Sequence, residues 1–404
     1  MSDWISDKLK LSLLSFFTLL GAAHADEFET CKAQLATTAV EKGVAKAVVD
    51  RVFADIHYQP KVIKLDRSQP EFVQTFPGYY SKRVNSWRIN KGQEMYEKHR
   101  DFLHALSSQY GVPAHYLLAF WGLETNFGGY KGTMNVLDSL TTLACDQRRS
   151  RFFTSELITA IKLLERESLE QKRMVGSWAG AMGHTQFMPS AYMHYAIDGD
   201  GDGQINLWDS EQDALASAAN FLSKLGWQPG YRWGREIILP ADFDYRQAGY
   251  SNKRPIRDWN KAGIKKADGT PLGNADELGY IVVPAGHTGP AFIAYPNFRT
   301  IMRWNNSEFY AIAVGKLADQ IAGEAGLVKA LPDLPAYNRS DIIALQSALN
   351  ELGHNVGTPD GIIGPATRAG IREYQIANNM IADGFPGLAT MTKIGVMPAT
   401  ENQG

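Results

Sequence analysis

One glutamate in this chain stands where a carboxyl group can keep its proton near neutrality. From Tyr116 to Leu123 every residue is apolar or glycine, and Glu124 follows directly. A helix that is apolar on all sides is a buried one. Asn126, Gly128 and Gly129 then supply the left-handed residues that commonly stop a helix. Glu124 falls on the last turn, with Leu117 and Trp121 on its face. Apolar neighbours and the negative end of the helix dipole both oppose its ionisation. A carboxylic acid that survives to neutral pH is what protonation of a glycosidic oxygen needs. The plainer alternative is a structural glutamate bonded to backbone at a helix end.

The most specific local pattern is Asp198-Gly199-Asp200-Gly201-Asp202-Gly203-Gln204-Ile205-Asn206-Leu207-Trp208-Asp209. Carboxylates at its first, third and fifth positions put oxygens on one side of a tight loop. Gly203 permits the sharp turn, and Gln204 can offer its backbone carbonyl. Asp209 stands where a carboxylate usually closes the shell, and Asp213, at the start of the next helix, could replace it. Without a cation this would be an acidic surface turn whose aspartates repel one another. Structural Ca2+ is the expectation.

Between Gly176 and Ser190, glycines at 176, 180 and 183 let backbone approach a neighbour closely. Gln186 in this run offers both a donor and an acceptor, suited to the acetamido or hydroxyl groups of a sugar. The same glycines would also serve a close-packed helix pair, and His184 reads as a satisfied polar residue. Trp304-Asn305-Asn306-Ser307-Glu308-Phe309-Tyr310 mixes ring faces with amides, as carbohydrate grooves do. Core packing accounts for aromatic residues equally well.

The elements that must hold these groups are mostly helical. Apolar periodicity predicts helix over Phe28–Phe53, Asn90–Tyr110 and Phe152–Glu170, with proline-punctuated chain near Pro60 and Pro70. Short runs such as Glu236–Leu239 and Tyr280–Val283 predict a small β-rich insertion within Trp233–Thr300, and helix resumes over Ser307–Ile321. Pro332 and Pro335 mark a linker, after which Ser340–Leu352 and Pro365–Asn378 read as helices accompanied by Asp-Gly turns at 360 and 383. The expected organisation is 1–25 signal peptide, 26–323 catalytic domain, 324–338 linker and 339–396 a separate small domain.

With 404 residues, 44% of them hydrophobic, the chain can bury more than one core. A formal charge of −2 and the lack of a long basic run give no nucleic-acid surface. Lys8 and Lys10, the apolar run Leu11–Ala22 and Ala23-His24-Ala25 form an export signal. That run is too short to span a membrane comfortably, and no cysteine sits at its end, so no membrane anchor is expected. A soluble, periplasmic protein is the reading. Cys31 and Cys145 either pair across one long loop or stay as two buried thiols.

Trp121–Gly128 together with Ala179–Ser190 resembles the B-type lytic murein transglycosylases, and Asp198–Asp209 leading into Asp213–Asn220 is similar to their calcium loop. The resemblance covers about Phe28 to Ile321. Leu345–Leu349, Asp360–Thr367 and Tyr374-Gln375 separately resemble a peptidoglycan-binding domain of the three-helix kind. The fold this implies is α+β and mainly helical: a lysozyme-like core with a helical lobe and a small β-region, plus a three-helix C-terminal domain. The resemblance implies Glu124 as the single acid/base, Gln186 beside the substrate, and Asn305 and Tyr310 lining the cleft. Relatives often carry Tyr where this chain has Trp304 and Phe221. The implied partner is the peptidoglycan glycan strand. The implied reaction cleaves the β-1,4 bond between N-acetylmuramic acid and N-acetylglucosamine and closes a 1,6-anhydro ring. Two rivals stand beside it: a goose-type-lysozyme-like hydrolase using Asp138 or Asp146 as a second carboxylate, and a non-catalytic wall-binding scaffold.

Overall fold

A computed structural model describes residues 26–68, 74–167 and 169–396. The signal expected over 1–25, and Pro70, lie outside the described residues. The chain divides into two compact units, one within Met1–Ser68 and Gly128–Ala218, the other within Gln69–Phe127 and Ala219–Gly404.

The first unit is largely helical. The helix expected over Phe28–Phe53 is two helices, 26–41 and Lys46–Ala54, because Gly43 takes a φ of 86° at the break. Ser150–Arg166 buries Phe153, Leu157, Ile161 and Leu164 and packs against Val136–Ala144. Cys31 and Cys145 are bonded, with Cα atoms 5.9 Å apart across a separation of 114 residues. A loop that long corresponds to about 4–5 kcal/mol in the chain-entropy account. Reduction, or Cys31→Ser, is therefore expected to lower Tm by on the order of 10 °C. A melting curve unmoved by reductant would show that the crosslink carries no stability.

In the second unit, Ala114–Thr125 is the central helix, and ten of its twelve residues are buried. Ser86–Lys98, Arg100–Tyr110 and Glu308–Ile321 pack around it. The expected helix over Asn90–Tyr110 is in fact two, with His99 at the junction. Close approach is enforced at Gly122, where a Cβ would come within 2.6 Å of the Phe127 ring. Asn126 and Phe127 at φ 52° and 57° stop the helix, as the sequence predicts for Asn126.

The β-region is a five-stranded antiparallel sheet ordered Arg254–Pro255, Leu278–Val282, Ala291–Ala294, Gly234–Ile238, Lys265–Lys266. Its core gathers around Trp259, Ile264, Ile281 and Ile293.

The C-terminal domain has three helices, Arg339–Glu351, Pro365–Ala377 and Leu388–Ile394, closed over Leu345, Leu349, Ile371 and Met391. Two similar loops connect them, Asp360–Thr367 and Asp383–Thr390. Each folds around a buried glutamine: Gln346 bonds Asp360, Ile362 and Thr367, and Gln375 bonds Asp383, Phe385 and Thr390. Residues 324–338 carry no regular structure but are held in their first half. Lys316 donates to the carbonyls of Ala325 and Gly326, and the Glu236 carboxylate accepts from the N–H groups of Val328 and Lys329, both at 2.8 Å. His287 Nδ1 lies 2.6 Å from Asp383, fixing the C-terminal domain to the sheet region.

Candidate active site

Glu124 ends the central helix half-buried, and its two oxygens differ. Oε1 accepts from the Tyr310 hydroxyl at 2.5 Å and from the Trp304 indole N–H at 3.0 Å. Oε2 accepts no hydrogen bond among the described residues. Burial pushes the carboxyl up to about 7, against the opposing pull of Tyr310, Trp304 and the Arg83 charge. With Oε1 holding two donors, the proton belongs on Oε2.

The partners arrive from two helices. Trp304 ends Pro296–Trp304 and is held by Phe120 and Phe221, with ring centroids 4.5 and 5.1 Å away. Its indole thus supplies a donor at a position the resemblance gives to tyrosine. Tyr310 lies in the first turn of Glu308–Ile321, whose N-cap Ser307 accepts from the Tyr310 N–H. Burial and the adjacent carboxylate raise the phenol well above its ordinary range, so it stays a donor. Arg88 clamps the helix end from behind: its guanidinium donates to the Gly122 carbonyl at 3.1 Å and to the Asn126 side chain at 2.6 Å.

Glu124, Tyr310 and Asn305 line one cavity of about 780 Å³, together with Tyr79, Arg83 and Glu308. The C-terminal domain lines it too, through both of its repeated loops. Glu308 is the other carboxyl group in this wall among the described residues, and burial raises its pKa.

The remaining expected residues belong to the first unit. Gln186 takes a φ of 50°, a strained conformation for a non-glycine residue. Its amide nitrogen donates to the carbonyls of Lys131 and Gly183, at 3.1 and 2.9 Å, leaving its amide oxygen for a ligand. The glycine-rich run is an irregular turn with two isolated bridges, not half of a helix pair. His184 is 5% exposed and rests against Gly128. Asp138 accepts from the His57 N–H and the Gln59 amide, both at 3.0 Å, while Asp146 pairs with Arg148 and Arg67. Both carboxylates of the hydrolase reading are thereby committed to structural contacts.

In the acidic loop, carboxylate oxygens of Asp198, Asp200 and Asp202 lie within 4.8 Å of one another. Backbone N–H groups of Gly201 and Gly203 aim Asp198, and those of Asp202 and Gln204 aim Asp200 and Asp202. Three converging anionic oxygens on a preformed turn fit a hard divalent cation. Neither candidate closing residue joins the cluster. Asp209 pairs with Arg173 at 2.6 Å, and Asp213, 1% exposed, accepts from the N–H groups of Gly199 and Asn206. Asp213 therefore braces the loop. The loop continues to Leu207, whose carbonyl accepts from the His184 N–H at 2.8 Å, two residues before Gln186.

Residues 27–319 match the model of the Transglycosylase SLT domain, and residues 338–394 match the Putative peptidoglycan binding domain. The chain belongs to the SLT transglycosylase family. This transglycosylase is 34% identical over 245 residues to the membrane-bound lytic murein transglycosylase B of Escherichia coli K12, covering 60% of this chain and 66% of that one. SltB3 from Pseudomonas aeruginosa, solved in complex with NAG-anhNAM-pentapeptide, superposes with a TM-score of 0.87 at 41% identity, over 91% of this chain and 99% of that one. Escherichia coli Slt35 in complex with calcium superposes with a TM-score of 0.63 at 31% identity, over 72% and 92%. These likenesses make the transglycosylase one of the B type.

Sequence reasoning on this transglycosylase missed Arg83, Arg88 and Glu308, and the C-terminal loops in the cavity wall. The repeated Asp-Gly-x-x-Gly-x-Ala-Thr pattern at 360–367 and 383–390 was the available signal for those loops. A single arginine among 41 basic residues carries no comparable mark.

Proposed function

We propose that Glu124 is the single acid/base of a lytic transglycosylase acting on the β-1,4 bond between N-acetylmuramic acid and N-acetylglucosamine. The observation that carries this reading is the asymmetry of its carboxyl group, with one oxygen tied to Tyr310 and Trp304 and the other open. Oε2–H protonates the glycosidic oxygen as the C1–O bond breaks. The resulting carboxylate is held by the two donors on Oε1. It then takes the proton of the muramoyl C6 hydroxyl, whose oxygen bonds to C1 and closes the 1,6-anhydro ring. No water is consumed. One carboxylate suffices because the nucleophile is part of the substrate and already oriented. Digestion of purified sacculi with mass spectrometry of the products tests this, since anhydro products are one water lighter than hydrolytic ones. Products with a free reducing end would favour hydrolysis, with Glu308 as the second carboxyl to replace.

Gln186 and Asn305 are assigned to substrate contacts, with Tyr310 shared between substrate wall and Glu124. The assigned organisation is a signal peptide over 1–25, a catalytic domain over 26–323, a connecting segment over 324–338 and a peptidoglycan-binding domain over 339–396, in a periplasmic protein. No helix among the described residues is long and apolar enough to cross a membrane.

The acidic loop is assigned to Ca2+, held by Asp198, Asp200 and Asp202 with the Gln204 carbonyl. The ion would supply charge balance and rigidity to the segment leading to Gln186. Ligand linkage gives about 4 kcal/mol at a thousand times the dissociation constant. Chelation is expected to lower Tm, and Asp200→Ala to do the same without chelator. A melting curve unchanged in chelator, with no metal by elemental analysis, would remove the ion from this assignment.

A further inference from the structure

The cavity wall contributed by the C-terminal domain holds more charge than a neutral sugar needs. Arg368 lines the cavity, and its guanidinium has no hydrogen-bond or ion-pair partner among the described residues. Arg232 in the same unit, by contrast, pairs with Asp319 and Glu324. Tyr337 lines the same cavity, is 8% exposed, and its hydroxyl finds no partner either. Ile363, Pro365 and Phe385 supply an apolar surface beside them.

Neither carboxyl group in the wall forms an ion pair with Arg368. Burial raises the pKa of both Glu124 and Glu308, the latter against the pull of the Arg368 charge. Arg83 adds a second guanidinium, stacked on the Tyr79 ring with no ion-pair partner among the described residues. The wall thus presents two guanidinium groups that no carboxylate pairs directly among the described residues. A guanidinium suits a carboxylate because two parallel N–H donors match its two oxygens. In peptidoglycan the sugars are neutral, and the free carboxylates belong to the peptide on the muramoyl lactyl group.

We propose that Arg368 and Tyr337 form a subsite for a carboxylate of the stem peptide, so that the C-terminal domain reads the peptide while Glu124 acts on the glycan. This rests on the transglycosylase reading above. It makes Arg368 a specificity residue of the cavity and the C-terminal domain part of substrate recognition.

The test measures equilibrium binding of two ligands to the full-length protein: a GlcNAc–MurNAc disaccharide bearing a pentapeptide, and the same disaccharide without peptide, its lactyl carboxyl capped as the methylamide so that it carries no charge. The wild type is expected to prefer the first by about 10-fold or more, the scale of one charge-assisted hydrogen-bonded pair. Arg368→Gln is expected to bring that ratio close to one, and Arg368→Lys to leave an intermediate value. Amidating the peptide carboxylates should abolish the wild-type preference without any variant. A ratio unchanged by Arg368→Gln or by amidation would overturn the subsite. Anhydro-product formation is scored separately: its absence would refute the transglycosylase reading, whereas its presence with an unchanged ratio would refute the subsite alone.

Discussion

Glu124→Gln is expected to lower turnover on sacculi by at least the ~10²–10⁴ typical of acid–base groups. The amide keeps the shape of the side chain but loses both the proton on Oε2 and the carboxylate that later accepts one. Both halves of the reaction fail together. Stability should move the other way. Burial raises Glu124 from 4.5 to about 7 in the folded protein, so the unfolded chain releases this proton first as pH rises. Folding stability is therefore lost between roughly pH 4.5 and 7, by about 3 kcal/mol, and the loss is complete above that window. The variant carries no such penalty. Its Tm should exceed that of the wild type at about pH 8, and the difference should vanish near about pH 4. A Glu124→Gln protein that released anhydro-products at near wild-type rate would take Glu124 out of the mechanism.

What was legible in the sequence had a local cause. The central helix is apolar on every side and stops at residues that accept a positive φ, so Ala114–Thr125 and the place of Glu124 on it follow from a short window. The acidic loop is likewise local, and its three clustered aspartates are those at the first, third and fifth positions. The closing residue was not legible, because it depends on which neighbour claims each carboxylate. Arg173 claims Asp209, and the loop backbone claims Asp213. Helix breaks at Gly43 and His99 were missed since apolar periodicity continues across both. The contacts that tune Glu124 are the least visible of all, being 180 and 186 residues away in sequence.

The C-terminal segment shows the same limit at a larger scale. Its prolines read as a tether, and a tether would act only by raising local concentration of the polymer. Instead Glu236, Lys316 and the His287–Asp383 pair hold the segment and its domain in place, and two loops of that domain line the cavity beside Glu124. Composition identified the domain but not its position, because position is set by single side chains on distant elements.

Tyr310→Phe separates the tuning of Glu124 from its presence. The Tyr310 hydrogen bond is the largest of the influences that pull the Glu124 pKa down against burial. Deleting the hydroxyl leaves burial less opposed, so the pKa rises above about 7. The acid form then survives to higher pH, and the alkaline limb of the rate profile should shift upward. The maximal rate should nevertheless fall. Once the leaving group has departed, Oε1 of the carboxylate keeps only the Trp304 N–H. A hydrogen bond to a charged group contributes about 1.5–3 kcal/mol, which corresponds to roughly 10–100-fold in turnover. Lower turnover with a limb displaced to higher pH is thus the expected pair of results. A limb that stayed in place, or moved to lower pH, would show that the phenol packs against Glu124 without setting its proton affinity.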